Sequence, residues 1–387
     1  MKKILNKIAI VILIAFIVCF GMYFYRINSI KLNIHWDNIN KDEEEIICLD
    51  YINKKMHKKG YGIYTNYLDN NLVKPYANGH EVLSESEGLI MLYAVKSGDK
   101  KLFDDHLSIV ENNLILKNGL LKWRFYKKEN RSGTSSAAID DIRVIRALFY
   151  ANDRWGEEDN KYRKLLFKIS KGVLKYETEN NNLVDFYDFN IKTKADYITV
   201  CYIDLYTMKL LKNVNNKWEN IMKNQEKILI NSYISDSFPL YRKSYSYKTN
   251  KYSNEEEVNT IESMLSILHL SEIGKCPNTS IQWIKNQMDK KGALYAKYNI
   301  KTGEPSSSYE STAVYAIAAQ VALNIGDKNM YDLMKSNMLK YQIKDKNSEI
   351  YGCFGFEDAK QVYSFDNLQA LLAIQKINLK NIIEYVK

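Results

Sequence analysis

Two kinds of segment alternate along most of the chain. Segments of the first kind are apolar on nearly every helical face, as in Gly88–Val95, Val144–Ala151 and Thr312–Ala319. Five of them continue, after a turn containing Gly or Asn, into a segment whose apolar residues recur with a helical period. A further amphipathic segment, Glu43–Met56, precedes the first pair. Six apolar segments begin 52 to 62 residues apart, near Glu85, Asp140, Asp196, Val258, Glu310 and Ser364, so the pattern predicts twelve helices.

The alternation indicates how the helices are layered. A helix that is apolar all round must be buried, whereas an amphipathic helix can cover it. Six buried helices inside six amphipathic ones form an (α/α)6 barrel, an all-α fold that we assign to residues 31–387. An open α-solenoid has a similar period, but its helices are usually half exposed. The 4 prolines and 16 glycines are too few for the turns of an all-β protein of 387 residues.

Residues 1–30 form a separate region. Three lysines precede Ile8–Tyr25, an uncharged apolar run of 18 residues, which is about the minimum length for a transmembrane helix. The run ends in aromatic residues and lacks the small-residue cleavage pattern of a secretory signal. We therefore expect an uncleaved signal anchor in a single-pass protein of the cell membrane, with the large domain outside. A cleaved signal, which would give a secreted protein, is the alternative.

Charge and cysteine content exclude several classes of protein. The net charge of +9 is spread along the chain without a nucleic-acid-binding motif, so no nucleic acid is expected as a partner. The five cysteines and five histidines are not spaced as ligand sets. We therefore expect no metal and no cofactor, and we expect a monomer.

The predicted barrel brings distant residues together. If all inner helices run in one direction, their first residues meet at one mouth of the barrel. A single acid at a helix start only complements the helix dipole. A ring of acids and tyrosines is typical of a sugar-binding cleft, with carboxyl groups for acid/base chemistry and aromatic faces for stacking. Such residues here are Glu85, Glu87, Asp140, Asp141, Asp196, Tyr197, Glu262, Tyr309, Glu310, Tyr363 and Asp366.

The segment at the first of these helix starts resembles a motif of a known family. Ser84–Gly88 followed by Met91 and by Gly98-Asp99 resembles the first active-site motif of glycoside hydrolase family 8, Ser-Glu-Gly-x-x-x-x-Met ahead of a Gly-Asp turn. Met91 stands earlier after Glu87 than in that motif. The family comprises endoglucanases, chitosanases and xylanases with an (α/α)6 barrel and an inverting mechanism. The resemblance implies that Glu87 is the general acid and that Trp123, 36 residues later, stacks on sugar.

Two further family motifs are altered. Ala137–Asp141 resembles the signature Ala-Ser/Thr-Asp-Ala/Gly-Asp and keeps its second Asp as Asp141, but Ile139 replaces the first, with Asp140 beside it. Val258–Glu262 stands where the family has Tyr-Asp-x-x-Arg, whose Asp is the general base in the cellulase branch. Asn259 replaces that Asp. The sequence is most similar to the divergent branch found beside bacterial exopolysaccharide synthesis genes.

These observations predict an anchored inverting hydrolase that trims a β-linked exopolysaccharide, with β-1,4 as the expected linkage. Glu87 is the expected acid, and burial and like-charged neighbours must keep it protonated against the helix dipole. Glu262 is the favoured base, with Asp188 and Glu255–Glu257 as alternatives, and Asp141 is the third catalytic carboxyl group. The expected substrate contacts are Trp123, Asp140, Asp188, Tyr197, Tyr309 and Tyr363.

Two other functions fit the same pattern. Because Asn259 removes the family base, the barrel could be an impaired glycan-binding module that assists polysaccharide export. An unsaturated uronyl hydrolase would share the barrel but would recognise acidic sugars through Arg or Lys in its cleft.

Overall fold

The computed structural model describes residues 7–18, 21, 32, 34–36, 40–70, 77–126, 131–156 and 160–375. After a helix at residues 7–18, twelve helices follow in these ranges, alternately outer and inner. The outer helices are α1 (Glu43–Tyr51), α3 (Lys100–Ile109), α5 (Lys161–Tyr176), α7 (Lys217–Asn231), α9 (Asn278–Lys291) and α11 (Lys328–Leu339). The inner helices are α2 (Ser84–Ser97), α4 (Ala138–Trp155), α6 (Leu205–Leu211), α8 (Thr260–Ser271), α10 (Thr312–Ile325) and α12 (Ser364–Ile374).

The inner helices form a closed ring. Each packs on the next, from α2 through α4, α6, α8 and α10 to α12, and α12 returns to α2. Their residues are buried on almost every face, whereas α5 buries one side only, through residues such as Tyr162, Leu166 and Ile169. The closed ring confirms the (α/α)6 barrel and excludes the open solenoid.

The third inner helix begins later than predicted. The other five start within two residues of the predicted positions, but α6 starts at Leu205 rather than near Asp196. Tyr197–Thr199 form a strand instead, because the β-branched residues there favour extended backbone. A short 3₁₀ turn, Val200–Tyr202, follows, and Asp204 caps α6 by accepting a hydrogen bond from the Thr207 amide.

Short antiparallel strands correct the all-α prediction to a mostly helical fold. They connect the ends of outer helices to the starts of inner helices and therefore gather at one pole, which we call the mouth; the other end is the opposite pole. The pairs and triplets are β1 (His57–Lys58) with β2 (Gly62–Ile63), β3 (Val82–Leu83) with β4 (Arg124–Tyr126) and β5 (Arg131–Ser132), β6 (Thr178–Glu179) with β7 (Asn182–Leu183), β8 (Tyr187–Asp188) with β9 (Thr193–Lys194), β10 (Tyr197–Thr199) with β11 (Ser244–Ser246) and β12 (Lys251–Tyr252), and β13 (Glu257–Asn259) with β14 (Lys297–Asn299).

The N-terminal region is described in part. The helix at residues 7–18 leaves its large apolar side chains exposed. Among the described residues, none of the helices combines the length and the apolar composition that crossing a bilayer requires. Most of the predicted run after residue 18, and the predicted boundary at residues 30 and 31, lie outside the described residues.

A charged network lies inside the ring, where the middle of α4 meets the N-cap of α6 and the C-cap of α8. The buried Arg146 guanidinium donates to both oxygens of Glu272, to Asp204 and, at 2.7 Å, to the Thr207 hydroxyl. Burial alone would raise the pKa of Glu272, but Arg146 and His269 together lower it far below its usual range. The network therefore joins three inner helices through one buried cation.

Replacing Arg146 tests this network. Arg146→Met would leave two buried carboxylates without their cation, so we expect the free energy of unfolding to fall by about 3–5 kcal/mol. Denaturant unfolding followed by circular dichroism measures the change. The control is Lys101→Met, which removes an exposed pair with Asp105 and is expected to leave the free energy of unfolding nearly unchanged. Equal stability of the Arg146 variant and the parent would contradict the prediction.

Candidate active site

The first turn of α2 presents Glu85 at the mouth. The Ser84 amide at the start of this turn donates to the Trp123 carbonyl, which fixes the helix start against the β3–β4 sheet. The Glu85 side chain is half-buried. Burial and the charge of Asp140 raise the pKa of Glu85 to about 7, Asp366 adds to the rise, and Arg143 opposes it. Glu85 is therefore a carboxyl group that carries a proton close to neutral pH.

Asp140 lies next to Glu85 and is held firmly. Its carboxylate accepts hydrogen bonds from the Ser84 hydroxyl at 2.7 Å and from the Arg143 guanidinium at 2.8 Å. Burial raises the pKa of Asp140 even though Arg143 and Ser84 both favour its charged form. The Asp140–Arg143 pair thus forms a fixed polar wall beside the Glu85 carboxyl group.

A second wall comes from the β8–β10 region. Asp185 is buried and accepts from the Thr199 amide at 2.6 Å, and burial raises its pKa. Burial and the neighbouring Asp185 raise the pKa of Tyr197 to about 12. Tyr202 is half-buried, and burial together with the charges of Asp185, Asp140 and Glu85 raises the pKa of its phenol. Tyr202 therefore offers a neutral hydroxyl between the two acidic walls.

Glu262 lies on the first turn of α8, which is diametrically opposite α2 in the ring. Its side chain is half-buried; burial raises its pKa, and Lys243 opposes the rise. Asn259 is the N-cap of α8 and accepts from the amides of Ile261 and Glu262, so its side chain serves the helix. A cavity of about 190 Å³ adjoins this turn and is bounded by Tyr241, Lys243, Glu255, Glu257, Val258, Asn259, Glu262 and Lys297.

Glu87 does not face the cleft. Its side chain is fully buried, with one oxygen accepting from the Ile63 amide at 2.9 Å and the other 2.7 Å from His106 Nδ1 on the outer helix α3. A Cβ atom at Gly62 would stand 2.7 Å from the first oxygen, so glycine there leaves room for the contact. Glu87 thus ties α2 to the outer layer, and its role as the general acid stays a prediction that this placement does not favour.

Asp141 repeats this arrangement on α4. It is fully buried, accepts from the Leu121 amide at 2.9 Å, and lies beside Glu177 at the end of outer helix α5. Burial and the charge of Glu177 raise its pKa. The Asp141 side chain thus faces the outer layer, whereas its neighbour Asp140 lies beside Glu85, and a catalytic role for Asp141 stays a prediction.

The other residues predicted to contact substrate lie in different surroundings. Asp188 accepts from the amides of Asn190 and Ile191 in the β8–β9 turn, so its side chain is used within the hairpin. Trp123 is half-buried, with the Arg124 guanidinium 4.4 Å from its ring centroid. Tyr309 is 72% exposed just before α10, and Tyr363 is the half-buried N-cap of α12. Both tyrosines lie at the rim of the mouth rather than within the acidic cluster.

The sequence pattern placed Glu85 at the mouth without a catalytic role, and it missed Arg143, Asp185 and Tyr202. A signal for Glu85 was present. Met91 follows Glu85 by six residues, as in the family motif, with Ser86 in the place of the glycine. Arg143, Asp185 and Tyr202 carry no comparable spacing signal, because only the packing of α4 and β10 against the mouth brings them to Glu85.

One cluster offers metal ligands. Among the described residues, Asp204, His269 and Glu272 could place one ligand atom each within 4.8 Å of the others. The guanidinium of Arg146 already bonds both carboxylates. A metal ion would have to displace this internal cation, so the cluster is better explained as a closed ion network than as a metal centre.

Comparisons with known proteins agree with this geometry. The family model of glycosyl hydrolases family 8 matches residues 66–188. The putative lipoprotein YdaJ of Bacillus subtilis (strain 168) is 30% identical over 331 residues, or 84% of this chain and 88% of that protein. A structure described as a novel α-amylase from Clostridium perfringens is 44% identical with a TM-score of 0.81, and the match covers 88% of this chain and 100% of that one.

A more distant structure shares the fold. The endo-β-1,4-glucanase CMCax from Acetobacter xylinum is 18% identical with a TM-score of 0.63, over 88% of this chain and 99% of its own. The chain belongs to glycosyl hydrolases family 8. The residues matched by the family model include the first turns of α2 and α4, where Glu85 and Asp140 meet.

The charge of Asp140 is expected to control the protonation of Glu85. Asp140→Asn removes one negative charge and frees Arg143 to act on Glu85, and both changes favour the ionised carboxylate. The pKa of Glu85 should therefore fall below its value of about 7 in the parent. Carboxyl-carbon NMR titration of the two proteins measures the shift. An unchanged or raised pKa would show that the two groups are not coupled as the structure places them.

Proposed function

We propose that this protein is an extracytoplasmic glycoside hydrolase that cleaves an α-1,4-linked glucan with inversion, and that Glu85 is its general acid. The observation that carries the proposal is the half-buried Glu85 carboxyl group at the mouth, with its pKa raised to about 7. A general acid works best when its pKa lies near the working pH, because it must hold a proton and still release it. The environment of Glu85 meets that requirement, whereas Glu87 is fully buried against His106 and does not face the cleft.

Glu262 is the proposed general base. Neighbouring helices pack about 8–10 Å apart, so the axes of opposite helices in a ring of six lie roughly 16–20 Å apart. Side chains reach about 5–6 Å from a helix axis, which leaves roughly 4–10 Å between opposing carboxyl groups. Inverting glycosidases need about 6.5–9.5 Å, enough for the substrate and one water. Lys243 supports this role because its charge favours the ionised form of Glu262.

The reaction then follows from the two positions. The glucan lies across the mouth, and Glu85 donates its proton to the glycosidic oxygen as the bond from that oxygen to the anomeric carbon breaks. A water on the opposite face attacks the anomeric carbon and gives its proton to Glu262, so the product has the inverted configuration. The Asp140–Arg143 pair, Asp185 and the Tyr202 hydroxyl are proposed to hold the sugar hydroxyl groups.

The choice of linkage departs from the expectation of a β-linked polymer. The α-linkage is preferred because the relative described as an α-amylase is 44% identical and is covered over its whole length. A β-1,4-glucan is the second candidate. The family model matches the segment that carries Glu85 and Asp140, and a structure with the same fold is described as an endo-β-1,4-glucanase. Asn259 stands where the family has its general base. If no substrate is cleaved, the protein is therefore better explained as an impaired glycan-binding module.

The proposed location outside the cytoplasm rests on two observations. A relative that is 30% identical over most of its length is described as a putative lipoprotein. In this chain, Lys2, Lys3 and Lys7 precede the apolar run, and the helix at residues 7–18 exposes its apolar side chains. We propose that the N-terminal segment tethers the barrel to the cell membrane. A role in trimming exopolysaccharide is consistent with this location.

Two matched variants test the acid. Glu85→Gln should lower kcat/KM on maltoheptaose by about 10²–10⁴-fold, because the leaving oxygen loses its proton donor. Glu87→Gln keeps a hydrogen-bonding side chain away from the cleft and should retain activity within about tenfold of the parent, given its indirect effect on α2. Reducing-end release measures both. A larger loss in the Glu87 variant than in the Glu85 variant would overturn the assignment.

A substrate panel tests linkage and stereochemistry. Equal concentrations of maltoheptaose, cellohexaose and chitosan hexamer are incubated with the full chain, and proton NMR follows the first products. We expect cleavage of maltoheptaose with release of the β-anomer, since inversion at an α-linkage gives that configuration. Cleavage of cellohexaose alone would favour the β-linked candidate. Binding of any of the three without turnover would favour the glycan-binding module.

A further inference from the structure

The described part of the N-terminal segment attaches to the barrel at one defined place. The Leu32 amide donates to Asp153 Oδ1 at 2.7 Å, and the Ile34 amide donates to Asp153 Oδ2 at 3.1 Å. The Trp36 indole nitrogen donates to the same Asp153 Oδ2 at 3.0 Å. We call Leu32, Ile34 and Trp36 the strap. Three donors on one carboxylate fix the strap to the last turns of α4.

Apolar contacts hold the strap as well. Leu32 and Ile34 are each 8% exposed and belong to the main core. The Trp36 ring packs edge-on against Tyr150 with centroids 5.7 Å apart, and the Arg154 guanidinium lies 5.0 Å from the same ring. The strap is therefore part of the folded barrel, and the chain N-terminal to it must depart from this point.

This point lies at the opposite pole, far from the cleft. Asp153 follows Asp140 by 13 residues on the same helix, which places them about 20 Å apart along its axis. Arg154 also donates to the carbonyls of Val95 and Lys96, so the strap sits over the ends of both α2 and α4. Glu85 and Asp140 lie at the starts of those two helices.

From this placement we infer that the opposite pole of the barrel faces the phospholipid bilayer, and that the cleft opens away from it. The inference rests on the tether in the proposed function. This orientation limits the accessible substrates to glucan chains in the surrounding medium or wall. A glucan linked to lipid at the bilayer surface would meet the opposite pole of the barrel rather than the cleft. A polysaccharide emerging from the membrane would have to extend past the barrel before entering the cleft.

Two exposed lysines provide matched positions for a test. Lys101, in the first turn of α3 at the opposite pole, is 85% exposed and pairs with Asp105. Lys54, after α1 at the mouth, is 70% exposed and pairs with Asp50. Both pairs have the same spacing along a helix, so replacing either lysine removes an equivalent surface interaction. Neither residue belongs to the cleft.

The experiment measures energy transfer from each position to the bilayer. Lys101→Cys and Lys54→Cys are made in the full chain with Cys19→Ser and Cys276→Ser, because the other three cysteines, Cys48, Cys201 and Cys353, are buried. Each protein is labelled with a maleimide donor and bound to phosphatidylcholine–phosphatidylglycerol vesicles that carry acceptor-labelled headgroups. The protein without an introduced cysteine gives the background. Flotation of the vesicles shows binding, and maltoheptaose hydrolysis is measured in the same samples.

The two label positions differ by about 20 Å along the barrel axis, so transfer from position 101 should exceed transfer from position 54 by about twofold or more. Equal transfer, or greater transfer from position 54, would overturn the orientation. Failure of the parent to float with the vesicles would refute the bilayer as the partner. Hydrolysis that persists in either case would leave the proposed catalytic function standing, so the two failures are distinguishable.

Discussion

The common direction of the six inner helices is the constraint on which the rest of the structure depends. Because they run in parallel around a closed ring, all their first turns meet at the mouth and all their last turns meet at the opposite pole. The helix dipoles therefore make the two poles electrostatically unlike. Carboxyl groups collect at the mouth, around Glu85, Asp140 and Glu262, whereas Arg146 lies deeper in the ring, between the N-cap of α6 and the C-cap of α8.

Helix geometry also explains why the two acids at the start of α2, and the two at the start of α4, have different surroundings. Successive residues of an α-helix are about 100° apart, so residues two apart, such as Glu85 and Glu87, point to nearly opposite sides. If one faces the cleft, the other must face the outer layer. Glu87 reaches His106 and Ile63 there, and on α4 Asp141 reaches Leu121 while Asp140 faces the cleft. One acid serves the chemistry and its neighbour binds the two layers together.

Burial and like charge together set the protonation of the cleft. The positive ends of the inner helices favour ionised carboxylates at the mouth. Burial acts in the opposite direction and raises the pKa of Glu85, Asp140, Asp185, Glu262 and Asp366. Glu85 and Glu262 each have two acidic neighbours that raise the pKa, but the cation that opposes the rise at Glu85, Arg143, is itself engaged by Asp140. A group of similar acids thus contains one member suited to donate a proton near neutral pH.

Much of the architecture was determined by the sequence alone. Apolar periodicity is a local property repeated along the chain, so it predicted the helices, their two layers and five of the six inner starts. The start of α6 was missed because the pairing of β10 with Ser244–Ser246 is a contact between distant segments. The family motif predicted the turn that holds the proposed acid, and it contained the spacing from Glu85 to Met91 on which that proposal draws.

Only the tertiary structure decided which side chains share the cleft. Two acids in one turn look alike in sequence, and the direction each one faces depends on how α2 and α4 are rotated against α3 and β4. Asp185 and Tyr202 reach the mouth through strand pairing, which leaves no spacing signal. The attachment of the strap to Asp153 joins residues 121 positions apart. Such contacts depend on packing in three dimensions, which a one-dimensional pattern does not contain.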